Sequence, residues 1–364
     1  MKHLIKAAWI IFCIILTGVF IVACLSAYVS PVSFSYMVLL AISFPYFFMA
    51  VFIAGFFNLM ISKKLAAVML VSLLLGLINL SHIIAFNFTA KPTASKPGSG
   101  LRIMTWNVQD FVDLKITSKT PSAMLRLITE NNPDIVCMQE FMNIENSKHY
   151  VCVRQEMDSL GYKYYFISKD EHYVTKNVVE TRGAAVFSKI PFSDSGTINI
   201  NTTDEIENLA YVDLNLENKP LRIYTAHLKS FSLYKDTENT RQDVYEITYN
   251  RKRDIQYKLR DVERFHQKEV AIIHSSIAKT SMPVIYCGDL NAVPSSYTYR
   301  ILRNNFQDAF LEKGSGIGAT FYKIAPMLRI DYCFVDKRFK VGNCYVIDKK
   351  LSDHYPVITD LQWK

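Results

Sequence analysis

The first quarter of the chain is almost continuously apolar, and this pattern differs sharply from that of the remaining residues. Three long apolar runs extend from Leu4 to about Tyr28, from about Phe34 to Leu59 and from about Leu65 to Phe86. A helix of roughly 20 apolar residues is long enough to cross the hydrocarbon core of a bilayer. The pattern therefore predicts a membrane domain over residues 1–86, held in a lipid bilayer by three transmembrane helices.

The basic residues around these runs predict the orientation of the helices. Lys2 and Lys6 lie at the start of the first run, and Lys63 and Lys64 lie between the second and the third. Lysines that flank a membrane helix favour the cytoplasmic side. An odd number of crossings then predicts a multi-pass protein of the cell (inner) membrane whose C-terminal part is extracytoplasmic or periplasmic. Cys24 ends a stretch that resembles a lipoprotein cleavage site, and whether it carries a lipid stays open.

After the apolar quarter, residues 87–100 are rich in Pro, Gly, Ser and Lys and predict a flexible linker. From residue 101 to 364, short apolar runs alternate with amphipathic stretches. Helical spacing recurs in Ser122–Asn131 and from about Asp236 to Lys279. Strands that alternate between hairpins and helical crossovers favour an α/β fold with mixed sheets. The predicted strands cover 102–106, 134–138, 162–168, 184–188, 211–216, 221–226, 283–287, 330–335 and 357–361.

Composition narrows the function only slightly. The formal net charge of +8 favours polyanions or an anionic membrane surface without choosing between them. The seven cysteines show no zinc-like spacing. Basic residues and tyrosines between about Lys229 and Lys268 could form a nucleic-acid groove, but interspersed acidic residues favour a solvated helix face.

Six short polar signatures follow strand-like runs. They are Thr105-Trp106-Asn107, Gln139-Glu140, Ala226-His227-Leu228, Gly288-Asp289-Leu290-Asn291, Arg329-Ile330-Asp331-Tyr332 and Ser352-Asp353-His354. Together they supply carboxylates, carboxamides and imidazoles, a donor set that suits a hard divalent cation holding a phosphate. Attack of water on a phosphodiester needs such a cation, donors for the developing negative charge, and a base.

These roles can be assigned to residue types. Glu140 suits the cation, and either Asp289 or His354 could act as the base. The candidate donors to the phosphate are Asn107, Asn291 and His227. Asp289 and Asn291 are two apart at a strand end, so we expect their side chains to project to the same side.

With these signatures in this order, the chain from about Leu101 to Lys364 resembles the endonuclease/exonuclease/phosphatase superfamily, here of a membrane-anchored bacterial type. The superfamily includes pancreatic-deoxyribonuclease-like nucleases, abasic-site endonucleases, neutral sphingomyelinases and inositol-polyphosphate 5-phosphatases. The resemblance implies a catalytic domain over 101–364 with a four-layered α/β sandwich of two mixed sheets flanked by helices. It also implies a Mg²⁺ site, with Mn²⁺ or Ca²⁺ possible, at the strand ends.

The resemblance also implies residue roles. Glu140 resembles the principal metal ligand, with Asn107 and Asp353 close to the same ion. Asp289 resembles the residue that orients or deprotonates the attacking water, and Asn291 resembles a donor to the scissile phosphate. His354 resembles the essential imidazole, which Asp331 orients. His227 resembles the second histidine, which faces the phosphate.

The predicted function is a membrane-anchored, divalent-metal-dependent phosphoesterase. Its substrate would be a phosphodiester in nucleic acid or in a lipid headgroup, and no protein partner is implied. The alternative is a non-catalytic, membrane-anchored binding module on the same fold, although all six signatures are intact.

Overall fold

The computed structural model describes residues 2–87, 100–111, 123–175, 177–200, 207–231, 251–323 and 325–364, without the side chains of 251–258. The chain forms two compact units. The first, called here the membrane unit, contains Met1–Ile84, Phe231–Arg264 and Val293–Ile301. The second, called the catalytic unit, contains Ala85–Ser230, Phe265–Ala292 and Leu302–Lys364. Most of the predicted linker lies outside the described residues.

The membrane unit contains three long apolar helices. They are α1 (Lys2–Cys24), α2 (Met37–Ile61) and α3 (Lys63–Ile83). Each is long and apolar enough to cross a membrane. Large apolar side chains on their outer surfaces, such as Leu4, Phe56 and Met60, are exposed, as expected for helices that face lipid rather than water.

Polar side chains lie inside this group of helices. The side-chain amide of Asn58 donates to the Ala54 carbonyl at 2.8 Å and to the Cys13 sulfur at 3.2 Å. The amide of Asn79 donates to the Cys24 carbonyl at 3.0 Å. Both asparagines are buried. Hydrogen bonds of this kind link helices where the surroundings offer no other polar partner.

In its described residues, the rest of the chain is built from one long α-helix, four shorter α-helices and a set of strands. The helices are α4 (Ala123–Asn131), α5 (Val153–Ser159), α6 (Arg251–Ala278), α7 (Tyr297–Arg303) and α8 (Ala309–Lys313). The strands are β1 (Ala85–Phe86), β2 (Leu101–Asn107), β3 (Ile135–Glu145), β4 (Tyr164–Ile167), β5 (Glu171–Thr175), β6 (Val178–Ser188), β7 (Phe192–Asn199), β8 (Asn208–Leu216), β9 (Lys219–His227), β10 (Val284–Asp289), β11 (Gln307–Asp308), β12 (Ser315–Gly316), β13 (Asp331–Val335), β14 (Phe339–Val346) and β15 (Val357–Trp363).

Two large sheets form the centre of the catalytic unit. One has the order β14-β15-β2-β3-β6-β4, with β5 also paired to β6, and the other has the order β11-β13-β10-β9-β8-β7. The pairs β2–β3 and β9–β10 are parallel, whereas their neighbours are antiparallel. Both sheets are therefore mixed, as predicted.

Alternation along the strands separates two cores. Ile103 and Ile135 point into a cluster shared with Val212 and Ile223 of the other sheet. Their neighbours on the opposite face, such as Met104, pack with the helical residues of α4 and α5. On the outer face of the second sheet, the Tyr224 hydroxyl donates to the Ser276 carbonyl of α6 at 3.3 Å. Helices thus cover both sheets, and the predicted four-layered α/β sandwich is confirmed.

Two of the strands that sequence patterning missed, β5 and β7, have no buried residue. All residues of β5 are exposed, and β7 is half-buried or exposed along its length. Strands without a buried face lack the apolar alternation that predicts them. The helix predicted from Asp236 is described from Arg251 onward as α6, and residues 232–250 lie outside the described part of the chain.

A buried glutamine connects the two sheets. The amide nitrogen of Gln139 on β3 donates to the hydroxyl of Thr105 on β2 at 3.1 Å and to the hydroxyl of Thr225 on β9 at 2.9 Å. All three residues are fully buried. A buried amide without hydrogen-bond partners is energetically costly. These two bonds therefore favour a single position of the first sheet relative to the second.

Candidate active site

The sequence signatures meet at one end of the paired sheets. Asn107 ends β2, His227 ends β9, and Asp289 ends β10. In the ladder, Asp289 pairs with His227 on one side and with Asp331 on the other. Strand pairing alone therefore places three of the predicted residues side by side.

Glu140 reaches this place through a break in its strand. The register between β3 and β6 shifts between Met138 and Phe141, and Glu140 has a φ of 46°. A left-handed backbone is uncommon for a non-glycine residue and often occurs at functional sites. The bulge lets Gln139 point into the space between the sheets while Glu140 turns to the strand ends.

The carboxylate of Asp289 lies at the centre of the cluster. Its Oδ2 accepts from the Asn107 amide at 3.1 Å and lies 3.6 Å from Nε2 of His354 and 3.8 Å from Nε2 of His227. Only 1% of the Asp289 side chain is exposed. One oxygen atom thus faces a carboxamide and two imidazoles.

The predicted metal ligands lie beside it. The Asn107 amide also donates to Oε1 of Glu140 at 2.9 Å. The Ser352 hydroxyl bonds both the Asn107 carbonyl, at 2.8 Å, and Oδ1 of Asp353, at 3.2 Å. Burial raises the pKa of Asp353, and the negative charge of Glu140 raises it further. The three residues therefore place oxygen donors in one electrostatically coupled group.

His354 is held on several sides. Its Nδ1 lies 2.8 Å from Oδ2 of Asp331, and its carbonyl accepts from the indole of Trp106 at 2.9 Å. The ring of Phe321 packs against the imidazole at a centroid distance of 4.8 Å. The His354 amide donates to the Ser352 hydroxyl in the bend before Pro356. Adjacent side chains of a regular strand point to opposite faces, so this irregular turn is what allows Asp353 and His354 to face the same site.

The surroundings raise the pKa of both Asp289 and His354 above the ordinary values. Burial, followed by the charge of Asp331, raises the pKa of Asp289 to about 6, although His354 opposes the shift. Burial lowers the pKa of His354, but Asp331 and Asp289 outweigh it and bring the value to about 10. Near neutral pH, the carboxylate is therefore ionised and the imidazole is protonated.

His227 has a comparable environment. Its Nε2 lies 3.4 Å from Oε1 of Glu140 and 3.0 Å from the amide nitrogen of Asn291, and its Nδ1 lies 3.6 Å from Oε1 of Glu207. Burial lowers the pKa of His227, but Glu207, Glu140 and Asp289 raise it to about 9. Both histidines therefore have a carboxylate behind Nδ1 and the cluster in front of Nε2.

Asn291 joins the site for a different reason from the one predicted. It lies beyond the end of β10 and has a φ of 48°, so strand alternation does not direct its side chain. Its backbone amide donates to Oδ1 of Asp289 at 2.8 Å, and its side-chain amide donates to the Leu228 carbonyl at 2.8 Å. The turn after the strand therefore positions Asn291 next to His227.

A geometric group of possible metal ligands differs from the predicted one. Among the described residues, donor atoms of Asp289, Asp331 and His354 all lie within 4.8 Å of one another. Oδ1 of Asp331 is buried and has no hydrogen-bond partner among those residues. However, Nδ1 of His354 is already bonded to Asp331. We therefore interpret this group as an orienting pair with its neighbouring carboxylate rather than as the main cation site.

A cleft of about 220 Å³ opens beside Glu140 and His227. Its lining is rich in carboxylates and also contains Arg182. Besides Glu140, the carboxylates are those of Asp110, Asp170, Glu171 and Glu207. Arg182 is paired with Asp110 at 2.9 Å and with Glu180 at 2.7 Å. Sequence reasoning missed Glu207, because it stands alone before β8 with no motif around it.

The comparisons with known proteins identify the family and the fold. Residues 104–354 match the sequence model of the endonuclease/exonuclease/phosphatase family. The chain therefore belongs to that family, as the sequence signatures predicted, and its fold is that of hydrolases that act on phosphoester bonds. Residues 3–83 match a second family that is described only as a domain of unknown function. No curated protein matches the chain.

Solved structures are similar in fold. A family member from Beutenbergia cavernae is 17% identical, with 73% of this chain and 72% of that chain covered and a TM-score of 0.53. The human nocturnin catalytic domain with bound sulfate is 20% identical, with 73% and 94% covered and a TM-score of 0.51. A family protein from Bacteroides thetaiotaomicron is 12% identical, with 73% and 98% covered and a TM-score of 0.51. At these identities, the likeness concerns the fold.

Proposed function

We propose that the protein is a membrane-anchored, divalent-metal-dependent phosphoesterase that cleaves a phosphodiester by attack of water. The observation that supports this function best is the surrounding of Asp289, whose Oδ2 faces Asn107, His227 and His354 within 3.8 Å. A base next to two protonated imidazoles is suited to activating water beside a phosphoryl group.

In this mechanism, Asp289 is the base. Its carboxylate is ionised at neutral pH and accepts the proton of the attacking water. His354 is protonated and donates to the oxygen of the leaving group, while Asp331 fixes its ring through Nδ1. His227 and Asn291 donate to the phosphoryl oxygens, where negative charge increases in the transition state.

The residues fit a divalent cation of the Mg²⁺ type. Glu140, Asn107 and Asp353 offer oxygen donors, which hard cations prefer. Burial, and to a smaller extent the charge of Glu140, raises the pKa of Asp353, and a bound cation would oppose both effects. Such a cation, when bound, would polarise the phosphoryl oxygen and neutralise charge on the phosphate. Mn²⁺ and Ca²⁺ are further candidates.

The test uses the full chain in lipid nanodiscs and a chromogenic phosphodiester, bis(p-nitrophenyl) phosphate. We expect hydrolysis with Mg²⁺ or Mn²⁺ and none in excess chelator. Glu140→Gln should lower kcat by at least the roughly 10²–10³-fold that removal of one electrostatic group costs. Undiminished turnover in chelator would exclude the mechanism, and binding without turnover would favour a non-catalytic module.

A matched control lies on the same strand. Glu145 is 35% exposed, compared with 37% for Glu140, and pairs with Arg154 at 3.0 Å. Glu145→Gln makes the same chemical change five residues away and should keep wild-type kcat. Equal losses in both variants would show that the effect of Glu140→Gln comes from the fold rather than from the site.

We further propose that the catalytic unit is extracytoplasmic, on the basis of the lysines at 2, 6, 63 and 64. A reporter that is active only outside the cytoplasm, fused after Gly100, should be active. A reporter that works only in the cytoplasm should be silent there. The opposite pattern would reverse the orientation and favour cytoplasmic substrates.

A further inference from the structure

The membrane unit includes a segment from late in the chain, residues 293–301. The Ser295 hydroxyl donates to the Ala41 carbonyl at 2.8 Å, and the Ser26 hydroxyl donates to the Ser295 carbonyl at 2.8 Å. The Arg300 guanidinium donates from Nε to the Ala27 carbonyl at 2.6 Å. Ser26 and Ser295 are buried. The segment, called here the collar segment, is therefore bound to the transmembrane helices by specific hydrogen bonds.

All these contacts involve the same end of the helices. Ser26 and Ala27 follow the end of α1, and Ala41 lies in the second turn of α2. The ring of His82, in the last turn of α3, lies 6.0 Å from the ring of Tyr299. Consecutive membrane helices alternate in direction, so these positions belong to one membrane face. It is the face at which the chain leaves α3.

The collar segment has the composition of a membrane interface. The Arg300 guanidinium lies 5.1 Å from the centroid of the Tyr28 ring and 5.6 Å from that of the Tyr297 ring. Tyrosine and arginine are favoured at the level of lipid headgroups, where an apolar body and a polar tip are both accommodated.

Chain connectivity links this interface to the catalytic motif without a spacer. Val293, the first residue of the collar segment, follows Asn291 by two positions. At the other connection, Ile84 is the single residue between α3 and β1. A tether without a spacer raises the effective concentration of whatever lies at the bilayer surface and does little for a substrate that diffuses in solution.

The cleft beside Glu140 favours one class of surface substrate. Among the described residues, its charged and titratable lining consists of five carboxylates, Arg182 and the imidazole of His227, so acidic groups outnumber basic ones, and its volume is about 220 Å³. Arg182 pairs with Asp110, and His227 lies near Glu140 and Glu207, but Asp170 and Glu171 keep the cleft acidic on balance. Repeated phosphates of a nucleic acid would meet repulsion from the carboxylates that these groups and a bound cation leave unneutralised. A single phosphodiester with a compact substituent that is neutral or cationic would meet much less of this repulsion.

Resting on the proposed function, we propose that the substrate is a membrane-resident amphiphile with a phosphodiester headgroup. The water oxygen forms a bond to phosphorus, and the P–O bond to one alcohol breaks. Asp289 takes the proton from water, and the departing alkoxide takes a proton from His354. The products are a phosphomonoester and an alcohol, one of which keeps the acyl chains and stays in the bilayer.

The test compares substrates with the same headgroup. The full chain in nanodiscs is given phosphatidylethanolamine or phosphatidylcholine in the bilayer, the matching deacylated glycerophosphodiester in solution, and a DNA or RNA oligonucleotide. We expect kcat/KM for at least one lipid to exceed that for its deacylated partner by about tenfold or more. Equal rates for the two, or faster cleavage of the oligonucleotide, would overturn the lipid assignment while metal-dependent phosphoester hydrolysis still stands. No hydrolysis of any substrate, bis(p-nitrophenyl) phosphate included, would overturn the proposed function as well.

The collar segment provides a second measurement. The double variant Ser295→Ala, Arg300→Ala should lower the ratio of lipid to deacylated turnover, and this ratio does not depend on the amount of active enzyme. Arg338→Ala, which removes an exposed guanidinium paired with Asp336, is the control and should keep the wild-type ratio. An unchanged ratio in the double variant would show that the collar segment has no part in substrate choice.

Discussion

The membrane unit and the catalytic unit differ in where apolar and polar side chains lie. In the membrane unit, apolar side chains such as Met60 are exposed, and the buried amides of Asn58 and Asn79 connect helices. In the catalytic unit, apolar side chains fill the layers between sheets and helices, and buried polar groups gather where strands end. Buried polar groups join structural elements in both units, the Gln139 amide doing so in the second, but among the described residues only those of the second unit also form a cluster of reactive groups at the strand ends. Substitutions in the two units should accordingly separate stability from activity.

The largest expected effect comes from the imidazole and its orienting carboxylate. His354→Ala should reduce kcat by about 10²–10⁴-fold, as is typical for loss of a general acid or base. Asp331→Asn should cost less, because the carboxamide can still accept from Nδ1 although it no longer carries charge. Steady-state kinetics on bis(p-nitrophenyl) phosphate would check both, with thermal unfolding as the control for folding. Near-normal kcat in His354→Ala would exclude the assigned role.

A second effect concerns pH. For kcat, we expect a rise as pH increases through about 6, where Asp289 loses its proton, and a fall above about 9, where His227 and then His354 lose theirs. Asp331 raises the pKa of both Asp289 and His354, so Asp331→Asn should move the acid limb, and the part of the basic limb that comes from His354, to lower pH. Limbs that stay in place in this variant would show that other groups control the profile.

The smallest effects should come from a pair of glycines, one in each unit. A Cβ on Gly288 would overlap the carbonyl oxygen of Ala226 on the neighbouring strand, whereas a Cβ on Gly76 would lie 2.7 Å from the ring edge of Phe20. A side-chain ring can shift to make room for a methyl group more easily than a hydrogen-bonded strand backbone can. Gly288→Ala should therefore lower the free energy of unfolding by about 1–3 kcal/mol, and Gly76→Ala should lower it by less. Thermal unfolding in nanodiscs would measure both.

Activity separates the two glycine variants further. Gly288 pairs with Ala226, one residue before both Asp289 and His227. Gly288→Ala should therefore lower kcat at temperatures where the protein remains folded, whereas Gly76→Ala should not. Equal kcat losses in the two variants would contradict the separation of stability from activity.

The sequence predicted much of the fold, because the relevant signals are local. Apolar runs of spanning length predicted α1 to α3, and the signatures at Asn107 and Asp289 lie at strand ends in the structure. The position of Asn291 follows from a left-handed turn that alternation does not encode. The exposed strand β5 leaves no apolar pattern to detect.

Other parts of the site depend on contacts between residues that are distant in the chain. Glu207 lies behind His227 only because β8 and β9 pair, and one carboxylate in a polar stretch carries no signal of that role. The collar segment follows the catalytic motif in sequence, yet its partners are Ala41 of α2 and Ala27, which follows the end of α1. Such long-range pairings cannot be inferred from local periodicity.

The buried amide of Gln139 has a consequence for how the site could be lost. It connects Thr105 and Thr225, which lie two residues before Asn107 and His227, and it directly precedes Glu140. The substitution Gln139→Leu would replace the hydrogen bonds to these two threonines by apolar contacts, and the sandwich would keep much of its thermal stability. The relative position of the two sheets would, however, no longer be fixed by hydrogen bonds. A shift of one sheet along the other would then separate the imidazole of His227 from the carboxamide of Asn107 and the carboxylate of Glu140. A chain with this change would fold, enter the membrane and remain inert, so that folding alone would not reveal the defect.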